Sequence, residues 1–140
     1  MNDCFGCKLA NKIAEVSVVY EDEFVTALLD IAPFNVGHVL IMPKLHYRYL
    51  DEFDQHSVAA LTNATQIISK ALKQLYKPDG ITIVQNGGAF DELSHFHLHV
   101  VPRFKGQKFS EFFITGGKVA TRAELEAVKE KLVVAIGMLK

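Results

Sequence analysis

The sequence predicts an α+β fold: a sheet of about five antiparallel strands and two main helices, in one domain spanning residues 1–140. Three observations carry that expectation. β-favouring runs at 16–20, 24–30 and 38–43 follow one another with short links, which suits antiparallel neighbours because parallel strands need long crossovers. Between residues 54 and 75 the apolar positions instead recur at three- and four-residue steps, the mark of a helix with one buried stripe. The chain has 140 residues, 49% of them hydrophobic. A chain of that size hides roughly 68–70% of its unfolded surface and can build a core without crosslinks.

Residues 16–20 read as the first strand, and Glu21, Asp22 and Glu23 as the turn after it. The second strand, from Phe24 to Asp30, is rich in β-favouring residues. Pro33 and Gly37 punctuate the following loop. The third strand, from His38 to Pro43, is almost wholly apolar and belongs in the interior. Asp54 suits the N-cap of the first helix, in which Val58, Leu61, Ala64, Ile68, Leu72 and Leu75 form the stripe. Lys77, Pro78, Asp79 and Gly80 stop it. A fourth strand covers 81–85, Gly87 and Gly88 open a loop towards Ser94, and a fifth strand runs from His95 to about Arg103. Thr121 and Glu124 make a capping box for a last helix ending near Leu139. No repeat, low-complexity tract or linker interrupts the pattern.

The formal net charge is −1 with 22% charged residues, so no broad field favours nucleic acid or an anionic membrane, and any phosphate must be held locally. The first residues lack a basic stretch followed by an apolar run, and no segment approaches the roughly 20 apolar residues of a membrane span. A soluble, cytoplasmic protein is expected. Its only two cysteines, Cys4 and Cys7, stand in one short element. In a reducing compartment such a pair points to metal binding, with a redox pair or no special role as the alternatives.

Three of the six histidines fall in five residues, His95-Phe96-His97-Leu98-His99. On a strand they share one face, while Phe96, Leu98 and Val100 share the other. An exposed polar face, an all-histidine metal site and acid–base or nucleophilic chemistry each fit this pattern. The third is favoured because neutral imidazole is a good nucleophile towards phosphorus.

This strand resembles the signature of the histidine triad (HIT) family. Leu29-Asp30-Ile31-Ala32-Pro33 and Gly37-His38-Val39-Leu40-Ile41-Met42-Pro43-Lys44 match as well, as do Asn86-Gly87 and Pro102-Arg103. The resemblance covers roughly 4–105, to the exclusion of the last helix, and is similar to the zinc-bearing bacterial branch. It implies a hydrolase or transferase that cuts at the α-phosphate of a purine nucleotide. Phosphoramidates, acyl nucleotides and dinucleoside polyphosphates are the implied substrates; a dedicated dinucleoside tetraphosphate hydrolase and a binding module with little catalysis are the alternatives. By the same resemblance His97 is the nucleophile that forms a nucleotidyl-histidine. His99 faces the phosphate or leaving group, and His38 supports it. Asp30 takes the ribose hydroxyls, where a turn-capping role competes. Phe5, Leu9, Leu28, Leu29 and Ile31 enclose the base, although core packing explains each equally, and Asn86 contacts the phosphate or ribose side unless it is a turn residue. The implied structural Zn²⁺ is held by Cys4, Cys7, His46 and His95, and the implied assembly is a homodimer that covers a sheet edge.

One stretch departs from the family. Relatives carry Gly-Gln-Ser or Gly-Gln-Thr before the triad, whereas this chain has Phe90-Asp91-Glu92-Leu93-Ser94 in a shorter loop. Ser94 is the hydroxyl available there, adjacent to His95. Two acids so near a phosphate repel a polyanion unless they turn away or hold a cation.

Overall fold

The computed structural model describes residues 3–111 and 118–139. Five strands, β1 (Val18–Glu21), β2 (Val25–Leu29), β3 (Val39–Pro43), β4 (Gly80–Gln85) and β5 (Leu98–Arg103), form one sheet in the order β1-β2-β3-β5-β4. Every neighbouring pair is antiparallel, as expected. Among the described residues the longer helical elements are α1 (Phe5–Ala10), α2 (Gln55–Tyr76) and α3 (Arg122–Gly137).

Local chemistry explains the two long helices. The Asp54 carboxylate accepts the Ser57 amide at 2.7 Å, and Lys77 ends α2 in the left-handed region at φ 48°. Thr121 Oγ1 accepts the Glu124 amide at 3.1 Å while Glu124 Oε1 accepts the Thr121 amide at 2.9 Å, a reciprocal cap for α3. The α2 stripe packs against one sheet face. Leu61, Ala64, Ile68 and Leu72 meet Val25, Ala27, Val39, Ile41, Phe96 and Val100 there, and Leu132, Ala135 and Ile136 of α3 complete this core. Alternation sends Leu28, Leu40 and Met42 to the opposite face, where the little helix α1 covers them through Leu9 and Ala10. A six-residue helix cannot cover a five-stranded sheet, so the second face keeps room for a site.

Two strands start more than one residue away from expectation, and one short helix was not expected. β5 begins at Leu98, not His95. Pro43 ends the β3 ladder because it has no N–H to donate, and its carbonyl is taken by the His95 ring at 2.9 Å. The chain before Leu98 is held instead by Phe96, whose amide donates to the Tyr47 carbonyl at 2.7 Å. β1 starts two residues late and includes Glu21; a register shift between Val18 and Tyr20 accompanies the change. The turn moves on because Asp22 Oδ1 accepts the Phe24 and Val25 amides at 2.8 and 2.9 Å. Helix α1 was not foreseen, being too short for a periodic pattern.

Candidate active site and metal centre

Cys4 caps α1, Cys7 lies on it, His46 follows β3 and His95 precedes β5; their ligand atoms gather within 4.8 Å of one another. Cys4 Sγ is 3.5 Å from His95 Nδ1. Cys7 Sγ is 3.4 Å from the same nitrogen and 3.3 Å from His46 Nδ1. Zn–S bonds of about 2.3 Å and Zn–N bonds of about 2.0–2.1 Å give a tetrahedral S···N edge of about 3.5 Å, so the spacing fits a metal. Hydrogen bonding alone serves it poorly, because one thiol proton on Cys7 cannot satisfy two imidazole nitrogens. His95 is fully buried, and its Nε2–H donates to Pro43 O, which leaves the Nδ1 lone pair pointing at the sulfurs. Burial and the adjacent Cys4 push the Cys7 thiol up to about 11; a cation reverses that tendency. Only glycine fits at position 6, because a Cβ there overlaps the His95 Cβ and stands 2.6 Å from its Cγ.

The next histidine is held the other way round. His97 Nδ1–H donates to the His95 carbonyl at 2.9 Å, which leaves the lone pair on Nε2. His38 and His99 form a directed relay beside it. The Phe34 amide donates to His38 Nδ1 at 3.0 Å, which puts the His38 proton on Nε2. His38 Nε2–H donates to His99 Nδ1 at 2.9 Å, and Asp30 Oδ2 lies 3.5 Å from His38 Nε2. His99 therefore keeps its own proton on Nε2 as a donor. Burial first, then the nearby His38 and His97, push His99 down to about 3, and burial also lowers His38 against the opposing pull of Asp30. Both rings of the relay are thereby held neutral at cellular pH.

His97 and His99 line a cavity of roughly 340 Å³, together with Phe5, Leu9, Leu28, Leu29, Asp30 and Ile31. That volume is at the small end of ligand pockets. The sequence therefore brought the expected base-enclosing residues, Asp30 and two triad histidines to one place. Asp30 has a turn role too, since its Oδ1 accepts the Ala32 amide at 2.8 Å. Asn86 and Ser94 are not brought to this cavity. Asn86 is exposed where β4 ends at the sheet edge. Ser94, at φ 54°, lines a neighbouring cavity with Arg48 and His46. Glu92 lines both cavities, and Glu15, which pairs with Arg122, also reaches the first. Sequence reasoning missed Asp91 as a site residue: it is buried, with Oδ1 3.6 Å from His97 Nδ1. An acid two and three residues ahead of the amides it caps, as here, is the available signal.

The HIT domain family matches residues 11–106. An uncharacterised HIT-like protein of Borreliella burgdorferi is 40% identical over 134 residues, covering 93% of this chain and 94% of the relative. An adenylylsulfatase of Arabidopsis thaliana is 36% identical over 73% of this chain and 53% of its own length. A zinc-bound histidine triad family protein from Mycobacterium smegmatis superposes with a TM-score of 0.82 at 34% identity, covering 99% of this chain and 96% of that one. Among the described residues, no helix is long and apolar enough to cross a membrane.

Proposed function

The chain belongs to the HIT domain family, and from that premise we propose that it cleaves purine nucleotides at the α-phosphate through a nucleotidyl-histidine on His97. The observation that carries this reading is the His97 tautomer: a backbone carbonyl holds Nδ1–H and Nε2 is left with a lone pair beside the cavity. Nε2 attacks phosphorus, the leaving group departs with its bonding pair, and the His99 Nε2–H donates a hydrogen bond to the charge that develops there. Water then cleaves the P–N bond and releases nucleoside monophosphate. His38 fixes the His99 tautomer through their 2.9 Å contact. Asp30 accepts the ribose hydroxyls and the apolar wall encloses the base. Placement and charge do most of the work in such phosphoryl chemistry.

Phosphoramidates and acyl nucleotides suit the site better than dinucleoside tetraphosphate, the second reading. The cavity's charged lining is Asp30, Glu92 and the Arg122-paired Glu15, with no Lys or Arg of its own among the described residues. A long polyphosphate leaving group finds no cation there. Zinc on Cys4, Cys7, His46 and His95 completes the reading as a structural ion. It ties α1 to the residue whose carbonyl orients His97. The expected homodimer has the β4 edge to pair through, since β4 is outermost and half exposed, while the other edge, β1, packs against α3.

AMP release from an adenosine phosphoramidate and from diadenosine tetraphosphate tests the proposal. Turnover of the first, reduced by roughly 10³-fold or more in His97→Ala, supports it. AMP binding without turnover of either substrate favours a binding module and overturns it.

A further inference from the structure

Asp91 and Glu92 fill the stretch where this chain departs from its relatives, and the two acids have opposite fates. Glu92 is exposed at the cavity mouth. The Asp91 side chain has no solvent exposure at all. Its Oδ1 accepts the Leu93 and Ser94 amides at 2.9 and 3.1 Å and lies 3.6 Å from His97 Nδ1. Its Oδ2 is buried with no hydrogen-bond partner among the described residues. Capping two amides explains one oxygen, and an asparagine does that equally well. It explains neither the charge nor the second oxygen, and an unsatisfied buried carboxylate oxygen is costly.

The charge balance of the proposed reaction supplies a reason. When His97 Nε2 forms its bond to phosphorus, the bond to the leaving group breaks with its pair, and Nδ1–H stays on the ring. The nucleotidylated ring is then a phosphorylated imidazolium with one positive charge. When water forms the new P–O bond, the P–N pair returns to Nε2, the water proton leaves and the ring is neutral again. A positive charge therefore appears on His97 only between the two steps.

We infer that Asp91 is a positioning residue whose carboxylate, with Oδ1 3.6 Å from His97 Nδ1, stabilises this transient cation electrostatically while the His95 carbonyl holds the Nδ1–H. The carboxylate faces the attacking ring before bonding to phosphorus gives it charge and the cationic ring in the adduct, so its stabilisation is greater where the reaction needs it. The Asp91 side chain is fully buried, so bulk solvent screens the interaction only weakly. This inference rests on the proposed role of His97 and adds the group that makes its adduct tolerable.

Asp91→Asn and Asp91→Ser each keep an acceptor for the two amides and remove the charge. Single-turnover reactions quenched in alkali, which preserves phosphoramidates, report the rate of His97 adduct formation; calorimetry with AMP and thermal melting report the pocket and the fold. The expected result is adduct formation slowed on the order of 10- to 100-fold, with AMP affinity and melting temperature close to those of the unaltered chain. Adduct formation at the unaltered rate in either variant overturns the inference. So does a loss matched by equal losses of AMP affinity and melting temperature, the pattern of a purely structural residue. If Asp91→Asn does not fold, Asp91→Ser carries the comparison. No adduct in the unaltered chain is a separate failure: it removes the His97 reading and the inference with it.

Discussion

His95 and His97 are two residues apart, carry the same ring and are both buried, yet the protein fixes them in opposite tautomers. His95 gives its Nε2 proton to the Pro43 carbonyl and turns Nδ1 towards two sulfurs. His97 gives its Nδ1 proton to the His95 carbonyl and keeps Nε2 for the cavity. The difference teaches that the role of an imidazole is decided by which nitrogen a backbone carbonyl holds. The two clusters are also linked in one direction, because the carbonyl orienting the His97 ring belongs to the candidate metal ligand. Loosening the metal centre must then disturb His97, whereas removing the His97 ring leaves the metal centre whole.

The sharpest way to break that asymmetry is a pair of substitutions. His97→Ala should lower AMP release by roughly 10³-fold or more while bound zinc and melting temperature stay put. Cys7→Ser should instead abolish stoichiometric zinc, measured by atomic absorption, and lower the melting temperature, with activity falling as the fold loosens. Equal zinc loss in both variants contradicts the separation.

Gly6→Ala sharpens the link between α1 and His95. The added methyl overlaps the His95 Cβ, so overpacking should cost about 1–3 kcal/mol in denaturant melts, together with weaker zinc retention.

Acid titration probes the reactive cluster. The ordinary imidazole value is 6.5, and burial carries His99 down to about 3. The unfolded chain thus takes up a proton before the folded one does. Stability is full above about 6.5 and declines as pH falls towards 3. In melts across that window His99→Gln should show a shallower decline than the unaltered chain. An identical slope would mean that His99 is not held neutral by the fold.

The smallest expected effect is at Glu92. Glu92→Gln removes one exposed carboxylate from the cavity mouth, and screened surface charge is weak. The ratio of tetraphosphate to phosphoramidate cleavage should rise by about threefold to tenfold, read from AMP release on the two substrates.

The elements that were legible in the sequence are those governed by their own neighbours. Asp54 with the stripe from Leu61 to Leu72 specified α2, and Thr121 with Glu124 specified the start of α3. The alternation of Phe96, Leu98 and Val100 into the core was readable because a period of two needs no partner to be seen. Most of the cavity was legible for a different reason: Asp30, His97 and His99 sit in motifs that resemble a family. The start of β5 was not readable, because Pro43, which ends the ladder, lies 52 residues before His95. Nor was Asp91, since nothing within its loop reveals that the turn folds its side chain inward against His97. Asn86 and Ser94 were reached by resemblance alone, and neither lines the cavity.

The stereochemical course at phosphorus tests the central claim most directly. A nucleotide made chiral at the α-phosphorus with sulfur and isotopic oxygen is hydrolysed and the configuration of the product determined. Two in-line displacements, one by His97 and one by water, predict retention. Inversion means that water attacks phosphorus itself, and it contradicts a covalent histidine intermediate.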